Sequence, residues 1–392
     1  MAVTEHIGYG KRIKNAFAGV ITGILMFVGS FFVHGFNERN AIHDTKAINE
    51  IEEVAIPDVP TDTVNEANDG KLVHMKGSAK TAEMVTNKRF GIEENAIRLS
   101  WDSSIYQLVE KKSKKDDRVT YSYTEEWRDK VEPSSGFNEV SKKTANDGSR
   151  KTLPVDGRDQ ASKVDYGAFK LNNNLIDEIS GATAYSLETL PDSFEGKGAI
   201  QDGIYYTGEP SAPQIGDEKI SFSIVRTPQD VTVMAQQQNN SFTAYKTQIG
   251  KTKELLYMGL LSKEMVIDKQ REAAFITRWL LRGAGFMLMW FGLMLITKPL
   301  AALASILPFG GRIMSSITGV VSFLIAACLS LVAIATFWSA FRPILSAVLL
   351  LGAAACVIGA IMFRRKRAAA NAGSDVVDAS ATRPPPPPMA AG

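Results

Sequence analysis

Four long apolar runs near the ends of the chain constrain its fold more than any other feature. They are residues 16–36, 280–297, 317–338 and 344–363, and the first, third and fourth contain no Asp, Glu, Lys or Arg. A helix of about 20 residues rises about 30 Å, which is the thickness of a bilayer's hydrocarbon core. The runs therefore predict four transmembrane helices.

The first two runs have basic residues before or near their start. Basic residues precede the first run, as in a cleaved signal peptide, but the run is longer than a usual signal core and no small-x-small cleavage pattern follows it. An uncleaved anchor is therefore favoured. The second run carries Arg282 near its start, where a long side chain can reach the membrane interface.

Four spans place both termini on one side of the membrane. The basic start and the Arg-Arg-Lys-Arg stretch at 364–367 then both face the cytoplasm, as the positive-inside rule requires. We therefore predict a cytoplasmic N-terminus over 1–15 and a disordered basic and proline-rich cytoplasmic tail over 364–392. Residues 298–316, which contain Pro299, Pro308 and a glycine pair, are predicted as a cytoplasmic interfacial loop.

Residues 37–279 form one large block between the first and second spans. Short runs rich in β-branched and aromatic residues, bounded by Asn, Asp, Gly and Ser, predict strands at 71–81, 96–102, 104–114 and 118–128. Residues 133–165 are polar and are predicted as a long loop or mobile excursion. The chain is thus predicted to be an α+β membrane protein: four transmembrane helices, with a large mainly-β luminal or periplasmic domain between the first and second.

The β-rich block is expected to have helices at both ends. The first span is predicted to continue as a helix to about Val54, because Pro57 and Pro60 follow. Ser262 is a suitable N-cap for a helix that runs into the second span. Such helices would restrict the orientation of the domain over the bilayer.

An aromatic strand lies in the middle of the chain. Tyr121, Tyr123 and Trp127 alternate with polar residues over 118–131, so they share one face of a strand. Such a face most often packs on a sheet or a helix. The alternative is that the three rings line a lipid-binding groove.

Small residues in the spans suggest close helix contacts. Gly19 and Gly23 are four residues apart in the first span, and Gly352 and Gly359 lie in the last. Glycines at such spacings let helix backbones approach closely in a membrane. We therefore predict helix–helix contacts there that support homo-oligomers.

The composition argues against several functions. The chain has 44 Lys plus Arg against 42 Asp plus Glu, so nothing indicates nucleic acid as a partner. Its two cysteines, Cys328 and Cys356, both lie in apolar runs, which leaves the polar middle without a disulfide or Cys-based zinc site.

No catalytic, cofactor-binding or metal-ligating residues are predicted. Hydrolase, metalloprotease and phosphate-loop motifs are missing from the sequence. His34 and His43 lie near the end of the first span, and His74 lies on a predicted strand, where a structural role is usual. The sequence therefore favours a protein that is not an enzyme. Apart from Arg282 the spans carry no Asp, Glu, Lys or Arg, so an oligomeric channel is a weaker alternative.

The order of several motifs resembles the LUMA family of four-span membrane proteins. The stretches that carry the resemblance are NDGKLVHMKG (68–77), YQLVEKK (106–112), YSYTEEWR (121–128), IGDEKISFS (215–223), LLRGAGFMLMWFGLMLIT (280–297) and the FRP turn (341–343).

The resemblance implies a multi-pass scaffold that self-associates and arranges membrane proteins, with no established catalytic residues. The expected partners are membrane lipids, further copies of the chain and other membrane proteins that the sequence cannot name. A lipid-binding or lipid-sensing role is the alternative. The expected location is a bacterial inner membrane with a periplasmic domain or, in a eukaryote, the endoplasmic reticulum or inner nuclear membrane with a luminal domain.

Overall fold

The chain divides into two compact units in a computed structural model. The β unit comprises Met1–Ile7 and Asp44–Glu272, and the helical unit comprises Gly8–His43 and Ala273–Gly392. The structure describes residues 2–6, 9–115, 118–149, 151–304 and 310–339, together with short helical pieces between 344 and 362.

Four α-helices and seventeen strands make up the described chain. The helices are α1 (Tyr9–Val54), α2 (Asn173–Glu178), α3 (Lys263–Ala304) and α4 (Gly310–Ser339). The first strands are β1 (Ala2–His6), β2 (Leu72–Lys80), β3 (Met84–Asn87), β4 (Ile92–Lys115), β5 (Arg118–Arg128), β6 (Gly157–Gln160), β7 (Asp165–Tyr166), β8 (Phe169–Lys170) and β9 (Thr183–Tyr185). The others are β10 (Ala199–Gln201), β11 (Ile204–Tyr206), β12 (Glu218–Arg226), β13 (Gln229–Gln238), β14 (Ser241–Thr243), β15 (Tyr245–Lys246), β16 (Thr252–Lys253) and β17 (Leu255–Met258).

Two antiparallel sheets form the β unit. The larger has the order β1-β5-β4-β12-β11-β10, with β3 and β6 also paired to β4 and β9 to β12. The smaller has the order β14-β13-β2-β7-β8, with β17 paired to β13, and β15 and β16 form a separate pair. β4 and β5 form a long hairpin, in which Tyr106 pairs with Trp127 and Lys115 with Arg118.

Each large sheet contributes to its own hydrophobic core. One core gathers β2 and β13 with α2 and includes Met75, Tyr166 and Val233. The other gathers β4, β11 and β12 and includes Phe90, Leu99 and Phe222. Together these cores hold the β unit without a disulfide, since burial of apolar area at roughly 25 cal/mol per Å² is the main favourable term in folding.

Three helices of the described chain are long and apolar enough to cross a membrane: Ala18–Val54, Lys263–Thr297 and Gly319–Phe337. α1 ends at Val54 and α3 begins after Ser262, whose Oγ accepts a hydrogen bond from the backbone N–H of Met265 at 3.3 Å. The predicted fourth span, 344–363, lies partly outside the described residues. The described residues within it are helical, and that span stays a prediction.

One predicted loop is wrong. α3 continues through Pro299 to Ala304 and α4 begins at Gly310, so most of 298–316 is helical. A proline removes one helix hydrogen bond, a loss that membrane helices can re-satisfy locally. Residues 133–165 are largely irregular, as a long loop is, and contain two short 3₁₀ helices, 134–136 and 140–142, and strand β6. The segment is bonded to the hairpin: the Asn146 side chain accepts from the backbone N–H of Leu108 at 3.0 Å and donates to its carbonyl at 2.8 Å.

The first residues of the chain pair with the hairpin. β1 lies antiparallel to β5, with Ala2 opposite Ser122 and His6 opposite Arg118. If residues 16–36 cross a bilayer and 37–279 lie beyond it, the bilayer would separate these two strands within one chain. The side of the membrane on which residues 1–15 lie therefore stays a prediction.

A polar cluster, an apolar pocket and an aromatic strand face

A buried ion pair joins two helices of the helical unit. The Glu38 side chain on α1 is fully buried, and its two carboxylate oxygens accept hydrogen bonds from Arg282 of α3, from Nε at 2.7 Å and Nη2 at 2.9 Å. The Arg282 guanidinium also lies 5.0 Å from the centre of the Trp279 ring. This bidentate geometry is the strongest form of an arginine–carboxylate pair, and it offsets the large cost of burying each charge.

Two further buried side chains extend this pair into a polar cluster. His34 of α1 lies with Nε2 3.2 Å from Oγ of Ser330 on α4. The amide of Asn37 donates to the backbone carbonyl of Arg278 at 3.1 Å. We call His34, Asn37, Glu38, Arg282 and Ser330 the polar cluster. Because its members come from α1, α3 and α4, it fixes the register of three helices.

The sequence analysis did not predict that these residues come together. It treated Arg282 as a side chain that reaches the interface, and it assigned Glu38 to the extramembrane domain. The structure instead pairs the two residues. The sequence did contain a signal for this pair. Glu38 directly follows the first span, and Arg282, of opposite charge, lies near the start of the second span. Both spans connect to the same domain.

Glycines let these helices approach each other. A Cβ on Gly23 would lie 2.8 Å from the backbone oxygen of Gly292, and one on Gly292 would lie 2.8 Å from the backbone nitrogen of Phe27. A Cβ on Gly19 would have ordinary contact with Leu295, at 3.6 Å. The first-span glycines thus face α3 of the same chain.

The glycines of the last run have looser surroundings. A Cβ on Gly352 would lie 3.8 Å from Leu331, and a Cβ on Gly359 would meet nothing within 4 Å among the described residues. A role for these two glycines in contacts between copies of the chain stays a prediction.

An apolar pocket of about 900 Å³ is lined by residues of α1 and α4. Aromatic side chains make up half of its wall, and two basic side chains of α1 complete one end. The lining residues are Phe31, Phe32, Gly35, Phe36, Arg39, Ile42 and His43 of α1 and Phe337 of α4.

The predicted aromatic face is partly covered by residues that follow the hairpin. The phenol of Tyr123 donates to Glu110 at 2.7 Å and accepts from the backbone N–H of Glu139 at 2.8 Å, while Phe137 packs against the Tyr123 ring at 5.9 Å between ring centres. Burial and the bond to Glu110 raise the pKa of Tyr123, so the phenol stays a neutral donor. Tyr123 therefore holds the 133–149 segment on the hairpin.

The other two residues of this face also contact protein groups. The Trp127 ring lies 5.3 Å from that of Tyr106 and 5.9 Å from that of Tyr206, with the ammonium of Lys219 at 4.8 Å. Tyr121 is buried, with Lys112 5.5 Å from its ring centre. These packing partners support the structural interpretation of the strand over a lipid groove.

His74 is buried where β2 meets the start of α3. Its Nδ1 accepts from the backbone N–H of Asp58 at 3.3 Å, so its Nε2 carries the proton that is donated to the carbonyl of Leu261 at 3.0 Å. Burial lowers the pKa of His74. Both ring nitrogens serve the fold. Among the described residues, no group of three His, Cys, Asp or Glu side chains could hold a metal ion.

These features define a class: a multi-pass membrane protein with several apolar helices and a large extramembrane β domain. A sequence model described as Transmembrane protein 43 matches residues 100–343, which is more than half of the chain. The chain belongs to the Transmembrane protein 43 family, and this confirms the resemblance to the LUMA family.

Curated relatives match over most of their length. The chain is 28% identical to Transmembrane protein 43 of Mus musculus over 87% of this chain and 89% of that protein. It is 27% identical to Transmembrane protein 43 of Homo sapiens, over 86% and 88%. It is also 27% identical to the Transmembrane protein 43 homolog of Drosophila melanogaster, over 88% and 94%. No solved structure matches the chain.

Proposed function

We propose that this protein is a membrane scaffold that self-associates and arranges membrane proteins or lipids through its β unit, held on the luminal or periplasmic side of the membrane. Family membership supports the membrane location. The specific role rests on one observation in the β unit, the open edge of the hairpin strand β5.

One side of β5 lacks a strand partner over much of its length. β4 pairs with the whole strand, whereas on the other side the described chain pairs only β1, over Arg118–Ser122. Residues 123–128 thus present unpaired strand backbone on that side. An exposed strand edge is a template on which another chain can add a strand.

The antiparallel register of β1 on Arg118–Ser122 supports an edge that can take up a further strand. In a membrane, a first span at 16–36 would keep the chain's own N-terminus on the opposite side from the β unit. A strand that pairs with this edge would then come from another molecule, and we propose a second copy of the hairpin. The charged side chains Glu125, Glu126 and Arg128 limit nonspecific pairing there.

Cysteine cross-linking tests this edge. In a background with Cys328 and Cys356 replaced by alanine, Thr124→Cys places one thiol at an exposed position of β5, and Asn173→Cys places one at an exposed position of α2. We expect oxidation in membranes to give a covalent dimer of the Thr124→Cys protein and little dimer of the control. Equal dimer yields from the two variants would contradict pairing through the edge.

A further inference from the structure

We propose that the pocket on α1 binds an anionic phospholipid, with an acyl chain against its phenylalanines and the phosphate beside Arg39 and His43. The inference does not depend on self-association. It concerns the helical unit alone and follows from how apolar and basic groups are ordered along one helix face.

Along this helix face, apolar residues are followed by basic residues, in the same order as the acyl chain and the phosphate of a phospholipid in a bilayer. Phe32, Phe36, Arg39 and His43 follow one another at spacings of four, three and four, so they lie on one side of α1. At 1.5 Å per residue, Phe32 and Arg39 are about 10 Å apart along the helix axis. Phe32 and Phe36 therefore lie within the last part of the apolar run, and Arg39 and His43 lie just beyond its end, where lipid head groups lie.

Among the described residues, the apolar part of the face is left open to an occupant. Phe32 and Phe36 are 73% and 65% exposed, yet both line the same pocket of about 900 Å³ as Phe337 of α4. That volume lies within the range of sites that bind small molecules, and its walls are largely aromatic. In a bilayer, the only abundant molecules of matching chemistry are lipids.

No side chain of the described chain pairs with the basic part of the face. Within the described chain, Arg39 and His43 make no hydrogen bond or ion pair with another side chain. The nearest acidic residues on α1 are already paired, Glu38 with Arg282 and Asp44 with Lys251 at 3.0 Å. The unmatched positive charge of Arg39 therefore favours an anionic head group, and the guanidinium is well suited to bind its phosphate.

Native mass spectrometry of the full-length protein, released from nanodiscs that contain equal amounts of phosphatidylglycerol and phosphatidylcholine, tests the site. We expect the wild type to retain phosphatidylglycerol preferentially. Arg39→Gln should lower that retention about fivefold, since one basic residue near an anionic surface has an effect of this size. Lys46→Gln is the matched control, because it removes the same charge from an exposed position on α1 outside the pocket.

A second variant tests the apolar part. Phe36→Ala should reduce retention of both lipids, whereas Phe275→Ala, which truncates an exposed phenylalanine on α3, should not. Equal retention of the two lipids by the wild type, or equal effects of Arg39→Gln and Lys46→Gln, would overturn the proposal. It would also be overturned if Phe36→Ala changed the number of subunits and left lipid retention unchanged, because the pocket would then hold a second copy of the chain.

Discussion

The β unit and the helical unit bury polar groups in different ways. In the β unit, buried polar side chains meet several partners: the carboxylate of Glu218 accepts from the backbone and hydroxyl of Thr152 and from the backbone of Leu153. In the helical unit, Glu38 accepts two charge-assisted hydrogen bonds from Arg282 and a longer one from the amide of Asn37 at 3.4 Å. A single substitution is expected to cost most at the Glu38–Arg282 pair, because two fully or largely buried charges depend on each other there.

The largest effect is expected at the buried ion pair. Glu38→Ala leaves the Arg282 charge without its carboxylate, and breaking such a pair typically costs about 3–5 kcal/mol. The thermal unfolding midpoint of the purified protein in detergent should fall accordingly.

A double variant supplies the control for this prediction. Glu38→Leu with Arg282→Met replaces the pair by apolar groups of similar size, and it should recover most of the lost stability. If Glu38→Ala left the midpoint unchanged, the pair would not be what holds α1 and α3 together.

The next effect is expected at the close approach of two helices. Gly23→Ala would place a Cβ against the backbone of Gly292, and overpacking of this kind costs about 1–3 kcal/mol. Gly359→Ala is the matched control, since nothing described lies within 4 Å of its added Cβ. A lower unfolding midpoint for Gly23→Ala, with the subunit number unchanged, would show a contact within one chain. A lower subunit number with normal stability would instead restore the contact between copies that the sequence suggested.

A smaller, pH-dependent effect is expected in the β unit. Because burial lowers the pKa of His74, the unfolded chain binds more protons than the folded chain just below the ordinary value of about 6.5. The stabilisation is therefore present above that pH and is lost as the pH falls below it. Unfolding midpoints measured between pH 7.5 and 5 should fall less for His74→Gln than for the wild type. Identical slopes would mean that His74 is not buried in its neutral form.

The smallest effect is expected at the aromatic strand. Tyr123→Phe removes the phenol that bonds to Glu110 and to the backbone of Glu139, at a cost of about 0.5–1.5 kcal/mol for a typical hydrogen bond. Hydrogen exchange should speed up over residues 134–149 and stay unchanged in β13. Unchanged exchange over 134–149 would show that another contact holds the segment.

Much of this architecture follows from local patterns in the sequence. The apolar runs predict the three described spans, Pro57 and Pro60 predict the end of α1 near Val54, and alternation predicts the hairpin strands. These features depend on residues that are close in the chain. Local patterns also predict helix ends that the structure does not have. Pro299, for example, suggested a loop at a position where α3 continues.

The candidate sites depend on residues that are distant in the chain. Glu38 and Arg282 are separated by 244 positions, and the pocket joins Phe36 to Phe337. Periodicity within one helix identifies a face but not the helix that packs on it. The hydrogen bond between the Tyr123 phenol and the backbone of Glu139 could not be predicted for the same reason. A polar segment has the composition of a loop whether or not it packs on a distant strand.

Self-association through the β unit is tested by native mass spectrometry of the full-length protein released from lipid nanodiscs. We expect a discrete oligomer with retained lipid. A monomer at every protein concentration, with or without lipid, would contradict self-association and leave the open edge of β5 to a different partner.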